Sequence, residues 1–480
     1  MNRLRVLLLA PGCNPEGVSI PFVGYCHAAG LAQLHDVTLV VGAPAEDVLR
    51  RAKAPFRAIE VVRMPRLERL DRWTFRNIVR GNFDTQLLTA VGYPFSVAFE
   101  WYAWRQLRHR IKAGEFDVVL RLLPMTAVLP SPFAFFLRKG PIPFVIGPLQ
   151  GGLRSAPGFS EPDKKKFGLR KLYRFLPFAR STYRHAAAII FAVSHIRTQF
   201  AAYSDKLFFI PENGIARSLC LPDTRRPTPG AKLELIFVGG FVRRKACYIG
   251  LRAAAPLLRS GLAHFTLIGD GPERNRLEQL ARSLGIEKAV SFCGWLKHAD
   301  VLSHLRSADV VVLPAIREGG GGVVFEGLAC GTVPVILDWG GPGDIVQPDV
   351  GYKVPPSDED DVVAQMDKIL TELAGNRDLF QRLRQQGMTY ARECLTWEAK
   401  AQATTQVLNW VVGRGPKPDL PWSRMARVRC VSAGTRVEST RELGGGGSKC
   451  EGAGSHPRPD LALRQGPKAD LPPPKVLYSN

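Results

Sequence analysis

The chain has 480 residues, 45% of them hydrophobic, with a formal charge of +22 and an isoelectric point near 9.9. That length exceeds what one core usually supports, so two domains with additions are expected, and the apolar fraction is that of an ordinary soluble globular protein. The charge asks for an acidic partner without choosing among phosphorylated substrate, anionic lipid and nucleic acid, while nine scattered cysteines without a CxxC spacing speak against a zinc site or a disulfide framework and for a reducing compartment.

Met1 to Cys13 has the outline of a lipoprotein signal. Its apolar core, Val6 to Ala10, is too short for a signal and the right length for a buried strand. No apolar run approaches the ~20 residues that span a bilayer. Strand Leu4 to Ala10, helix Phe22 to Leu34 and strand Asp36 to Val41 make a βαβ opening without GxGxxG, so a dinucleotide fingerprint is absent. Further strands are expected at Ala58 to Arg63, Phe116 to Arg121, Pro143 to Ile146 and Ala188 to Val193. After Ile146 comes GPLQGG, read either as a functional loop at a strand's carboxyl end, with Gly147, Gly151 and Gly152, or as a tight structural turn.

Two segments interrupt this half. Leu67 to Ile111 mixes aromatic residues with many arginines. Lys164 to Arg184 is strongly basic, with Leu169, Leu172, Tyr173 and Leu176 at helical spacing; it fits a helix on an anionic membrane surface or a solvated helix packed on its own domain. No recognition motif accompanies the charge, so specific nucleic-acid binding is not expected.

FFIPENGI, Phe208 to Ile215, reads as a domain junction. A second βαβ series follows: strand Leu235 to Val238, helix Ile249 to Leu258, strand Phe265 to Gly269, helix Glu273 to Leu284, strand Ala289 to Phe292 and helix Ala299 to Ser307. It leads to the stretch that organises the rest, DVVVLPAIREGGGGVVFEGLACGTVPVI, from Asp309. Val310 to Leu313 has the β-branching of a fully buried parallel strand. The glycines feed a short helix beginning near Val323 and ending at Gly331, where a left-handed cap suits glycine. Glu318 and Glu326 bracket this turn eight positions apart, and glycines with a helix N-terminus suit an anionic ligand. Asp358 and Asp360, which superficially form a metal-binding DxD, are assigned to the N-terminus of the helix through Val362 to Leu373. A last helix covers Trp397 to Trp410; from Gly413 on, glycine, proline, arginine and serine dominate and the tail is expected to be disordered.

In order along Leu235 to Val354, VGGFVRRK, LIGDGPERNRLEQLARSLGI, VSFCGWL and the E-x7-E pair inside EGGGGVVFEGLACGTVPVI resemble the retaining GT-B glycosyltransferases of family 4, the glycosyl transferases group 1. Each piece alone is weak; their order makes the set specific. The first half resembles the family more thinly, at Pro15 to Ser19 and FFIPENGI. The implied fold is α/β GT-B, two doubly wound Rossmann-like domains facing across a cleft. The expected boundaries are 1–207 for an acceptor-side domain, 208–395 for a nucleotide-sugar domain, 396–412 for a terminal helix packing back on the first domain, and 413–480 for the tail.

By match to the family's motif, Glu326 would bind the ribose hydroxyls, Glu318 would orient the donor sugar, and the backbone of Gly319, Gly320, Gly321, Gly322 and Val323 would meet the sugar or diphosphate. Lys245 would neutralise charge on the departing nucleotide, and Gly17 would let the first domain's loop approach the same phosphates. Where many members carry an arginine this chain has Gly240, which leaves Arg243 or Arg244 to supply the charge. GPLQGG stands where many members have a histidine, so no acceptor-activating base is assigned; His185 and His195 are read as core or surface residues. The resemblance implies a metal-independent, retaining transfer from a nucleotide-sugar to a glycan or lipid-linked acceptor; the basic surface and the cysteine usage add the expectation of a cytoplasmic protein at the inner face of the membrane. No resident cofactor is implied. A nucleotide-sugar epimerase and a catalytically degenerate GT-B scaffold are the alternatives.

Overall fold

The computed structural model describes residues 3–53, 55–74, 85–159, 175–221 and 232–422. The first half runs β1 (Arg5–Leu9), α1 (Ile20–Leu34), β2 (Asp36–Gly42), α2 (Glu46–Arg51), β3 (Ala58–Val62), α3 (Pro65–Thr74), α4 (Thr85–Lys112), β4 (Val118–Arg121), α5 (Pro132–Leu137), β5 (Phe144–Leu149), α6 (Ala179–His185), β6 (Ala188–Phe191) and β7 (Leu207–Phe209). Its strands form one parallel sheet in the order β3-β2-β1-β4-β5-β6-β7. The second half runs β8 (Leu233–Val238), α7 (Cys247–Arg259), β9 (Ala263–Ile268), α8 (Arg274–Ser283), β10 (Val290–Gly294), α9 (His298–Ser307), β11 (Val310–Leu313), α10 (Gly322–Cys330), β12 (Val333–Leu337), α11 (Gly340–Ile345) and β13 (Tyr352–Val354), then α12 (Glu359–Gly375), α13 (Arg377–Tyr390) and α14 (Trp397–Val411). Its six parallel strands are ordered β10-β9-β8-β11-β12-β13.

Helices cover both faces of such sheets, so their central strands are buried throughout. Val310, Val311, Val312 and Leu313 of β11 are at most 1% exposed, which is what their continuous β-branched run foretold. In the first sheet β1 lies between β2 and β4; in the second, β8 lies between β9 and β11. At these two places the winding reverses, and loops leaving the carboxyl ends of neighbouring strands diverge and leave a crevice.

The two halves are tied at several points. The Ser194 hydroxyl donates to Asp344 Oδ1 at 2.5 Å and the Ser194 backbone N–H to Oδ2 at 2.8 Å, both buried. Ala156 N–H donates to Ile316 O at 2.8 Å, and the Trp339 indole N–H to Arg154 O at 2.8 Å. The two chain crossings meet where Ile215 N–H donates to Leu395 O and Trp397 N–H to Ile215 O, each at 3.0 Å. From there α14 returns to α1, close enough at Gly30 that a Cβ would stand 3.2 Å from Ala401 Cβ, with His35 Nε2 2.8 Å from Thr405 Oγ1.

Two expectations change here, and one segment left open by the sequence gains a structure. β5 runs on through Gly147 and Pro148 to Leu149, because parallel pairing with β6 resumes at Leu149 and Phe191 after a register shift. Within the aromatic and arginine-rich segment Leu67 to Ile111, α4 is a helix of 28 residues. The tail was expected to be unpacked from Gly413, yet Leu420 and Trp422 are 2% and 0% exposed in the first core. Two apolar anchors among glycines, prolines and charged residues do not register as a pattern. Most of the basic stretch Lys164 to Arg184, and the tail beyond residue 422, lie outside the described residues. Asp358 caps α12 by accepting from Asp361 N–H at 3.0 Å, and Asp360 pairs with Arg252 at 2.6 Å. Among the described residues no helix is long and apolar enough to cross a membrane.

Trp422 lies over Lys400, whose ammonium is 3.9 Å from the ring centroid and itself buried. Replacing Trp422 by Ala removes a fully buried indole and uncovers that ammonium, so Trp422→Ala is expected to cost about 3–5 kcal/mol in thermal or denaturant unfolding. An unchanged midpoint would show that the packing of residues 413–422 contributes nothing.

Candidate functional site

The loops after β8 and β11 leave adjacent strands at the second switch point, so residues far apart in sequence converge there. Past β8 the chain turns through Gly239, with φ 151°, and Gly240 into a single 3-10 turn, Arg243–Lys245; Ala246, at φ 49°, redirects it into α7. The Arg244 carbonyl accepts the N–H groups of Ile316 at 3.0 Å and Arg317 at 3.3 Å, which zips this turn to the loop after β11. Lys245 Nζ is thereby set 2.5 Å from Glu318 Oε2.

Glu318 is also anchored locally: its Oε1 accepts the Gly321 N–H at 3.0 Å. Burial pushes its carboxyl pKa up, but the charge and hydrogen bond of Lys245, the Gly321 N–H and Arg244 together hold it below the usual carboxylate range. Arg243 is exposed and its charge acts on Tyr248, whereas that of Arg244 acts on Glu318. Of the two arginines left open by Gly240, Arg244 faces the pair.

The glycines of this loop meet two different demands. Gly321 has φ 62° and starts α10, a conformation that favours glycine. Gly340 and Gly341 of α11 lie against the Glu318 and Gly319 carbonyls, where a Cβ would overlap backbone; Gly341 N–H donates to Glu318 O at 3.0 Å. Gly320 faces the junction peptide, and a Cβ there would stand 2.8 Å from Glu212 Oε1 and overlap the Asn213 amide. Gly319 faces the other half, with the Gln150 side-chain oxygen 3.6 Å from where its Cβ would lie. Val323, in the first turn of α10, is buried.

Glu326 occupies the middle of α10 at 2% exposure, and its Oε1 lies 2.8 Å from His298 Nε2 in the first turn of α9. Glu318 and Glu326 thus play unlike structural parts: one carboxylate faces a lysine at the loop, the other a histidine inside the domain. Trp295, 47% exposed, comes within 3.8 Å of a Cβ on Gly240 and flanks the loop after β8.

Residues expected on the opposite side are less convergent. The contacts that fix Gly17 lie in its own loop, where its N–H donates to Asn14 O at 3.2 Å. Gly147 is a strand residue whose absent Cβ makes room for the Ile190 carbonyl of β6, so its role is in the sheet and not in a cleft loop. Gly151 and Gly152 are exposed, with φ 106° and 79°, and the Gly151 carbonyl lies 3.0 Å from His195 Nε2. His195 therefore belongs to the cleft edge, which its isolated position in sequence did not reveal.

Residues 224–387, the stretch that holds this site, match the family model described as glycosyl transferases group 1. The chain is 34% identical over 140 residues to an uncharacterized glycosyltransferase of Methanocaldococcus jannaschii, covering 29% of this chain and 36% of that one. It is 31% identical over 218 residues to a glycogen synthase of Mycobacterium tuberculosis, covering 44% and 50%. Thus the chain spans between about a third and a half of these relatives' lengths. The crystal structure of Anabaena HepE in complex with UDP superposes with a TM-score of 0.55 at 16% identity, covering 85% of this chain and all of that one. The fold is GT-B. Its two sheets correspond to the two facing domains expected from the motif order, and the shared segment contains Lys245, Glu318 and Glu326.

Glu212, His298 and Gln150 were not singled out from sequence as site residues. The first was legible only as part of a junction, and the others meet their partners through helix packing and loop crossing that leave no spacing signal. Glu212 is buried, its Oε2 has no hydrogen-bond partner, and burial followed by the charge of Glu318 raises its pKa to about 8. A carboxyl that holds its proton in the folded state stabilises that state most below its unfolded pKa and loses the contribution as pH rises toward 8. Glu212→Gln removes this titration. It is expected to gain stability relative to the parent between pH 5 and 8.5, by about 1–3 kcal/mol at the upper end. Parallel stability curves for the two proteins across that range would contradict a buried neutral acid.

Proposed function

We propose that the chain is a retaining glycosyltransferase that moves a sugar from a nucleotide-sugar to a glycan or lipid-linked acceptor at the cytoplasmic face of a membrane, without an essential metal. The observation that carries this reading is the Lys245 and Glu318 pair at 2.5 Å beside the start of α10, at the switch point of the sheet. An ammonium and a helix N-terminus supply positive charge where a nucleoside diphosphate would lie. Glu318 presents acceptor oxygens to sugar hydroxyls and, with Gly321, is already positioned. Glu326, oriented by His298, would take the ribose hydroxyls.

In this mechanism the bond between the donor's anomeric carbon and the diphosphate oxygen breaks as the acceptor oxygen bonds to the same face of that carbon. The acceptor proton passes to the leaving phosphate oxygen. Lys245 stabilises the charge developing on the diphosphate, and the reaction needs no side-chain base on the acceptor side. Donor binding would share Lys245 between Glu318 and phosphate, so the pair forms a preorganised half of the site. Inner-face placement rests on the basic charge.

Incubation of the full chain with a panel of nucleotide-sugars, with and without membrane extract, should release nucleotide and transfer sugar. Release of an altered sugar from donor alone would assign an epimerase, and binding without turnover a degenerate scaffold. Lys245→Ala should lower kcat/KM by roughly 10²–10³-fold. Glu326→Ala should weaken nucleotide affinity by about 10-fold or more, as expected for hydrogen bonds to a charged group; unchanged affinity would remove its ribose role. Flotation should recover more protein with anionic than with neutral vesicles, and equal recovery would remove the membrane placement.

A further inference from the structure

A helix packed on a sheet at a solvated surface keeps its outer face polar. α4 does not. Phe99, Ala103, Leu107 and Ile111 form its buried seam. A second apolar stripe, Tyr93, Val97 and Trp101, also at a spacing of four, opens on an apolar slot of about 400 Å³ closed on the other side by Pro132, Phe136 and Phe178. That volume lies in the range of small-molecule sites. The side chains lining it carry only two polar atoms, the Trp101 indole N–H and the Tyr93 hydroxyl, and the latter already donates to Pro177 O at 3.3 Å. A sugar or a peptide backbone would lose its hydrogen bonds to water here and find few replacements. A hydrocarbon chain would lose nothing.

The rim is cationic. The Arg105 guanidinium stacks 4.8 Å over the Trp101 ring, and that of Arg138 3.6 Å over Phe135, whose ring is 5.7 Å from Phe178. Burial lowers the pKa of nearby His185, and the charges of Arg184, Arg138 and Lys206 lower it further, as a dense positive field requires. The carboxylate within this stretch of α4, Glu100, faces inward, 3.3 Å from Arg121, and does not neutralise the rim.

The position also fits. α4 precedes a strand of four residues and runs against its direction; at 1.5 Å per residue its 28 residues span about 42 Å. Its first half therefore stands beyond the carboxyl edge of the sheet, the edge that carries the cleft loops. Pro132 opens α5 directly after the loop from that edge.

We infer that this slot takes the hydrocarbon chain of a lipid-linked acceptor whose anionic phosphate head lies against Arg105 and Arg138. The inference rests on the transferase reading above for the word acceptor, but the binding itself is separable from it. Dodecyl phosphate, a single chain with an anionic head, serves as probe below its micellar concentration, followed by titration calorimetry on the full chain. It should bind, inorganic phosphate should not, and dodecyl maltoside should bind roughly tenfold more weakly, because the neutral head forgoes the arginines.

Val97→Trp, or Ala98→Phe if the first does not fold, fills the slot and should weaken dodecyl phosphate by roughly tenfold or more, and Arg138→Glu should weaken it while leaving dodecyl maltoside unaffected. Undiminished binding by a folded Val97→Trp protein overturns the slot, and equal binding of the two detergents overturns the anionic head. If Val97→Trp loses the probe yet floats with anionic vesicles as the parent does, the slot is confirmed as distinct from general surface attraction. Nucleotide release from nucleotide-sugars by the same preparations separates the two ideas: its absence with probe binding intact overturns the transferase reading alone.

Discussion

A lysine and a glutamate can share a half-buried space only if the gain from pairing exceeds the cost of removing both from water. Here that balance is set by backbone and not by the side chains alone. The Arg244 carbonyl fastens the loop after β11 to the turn that carries Lys245, and the Gly321 N–H holds the second carboxylate oxygen of Glu318. With both ends fixed in advance, little side-chain freedom remains to be lost when the pair forms. The same fixation sets the start of α10, so the charge pair, the glycine loop and the helix N-terminus are one construction on two neighbouring parallel strands.

Close backbone approach is the second constraint, and it links the halves. Gly319, Gly320, Gly340 and Gly341 are each met by atoms of another segment, from Gln150, the Glu212–Asn213 peptide and the loop's own carbonyls. Glu212 is the least expected of these neighbours. Two ionised carboxylates at such a place would repel each other in a poorly solvated site; Lys245 keeps Glu318 charged, and Glu212 carries the proton. The junction peptide thus reports on the charge state of the site while joining the domains.

On the opposite side, α4 and α5 extend the first sheet with aromatic and cationic surface at the cleft's edge, while α14 and Trp422 hold the crossing chain to α1. The molecule is consequently asymmetric in chemistry although its two sheets are similar in design. One half carries a fixed charge pair beside a helix N-terminus, and the other carries an apolar slot bordered by arginines.

Buried parallel strands announce themselves as short β-branched runs, so β1, β8 and β11 were readable within a residue or two, as were the glycine-capped helix α10 and the cap at Asp358. Lys245, Glu318 and Glu326 were singled out by their match to the family's motifs, and the strand order brings the first two together. The length of α4 was hidden because its two apolar stripes blur the helical period, and the packing of Trp422 because isolated anchors make no pattern. The pairing of Glu326 with His298, the placement of Glu212 against Gly320 and the choice of Arg244 over Arg243 depend on which strands are neighbours and which helices touch. Local sequence determines what each segment becomes and which groups it offers. Strand order and chain crossing decide which of those groups meet, since they join residues whose separation along the chain bears no relation to their distance in space.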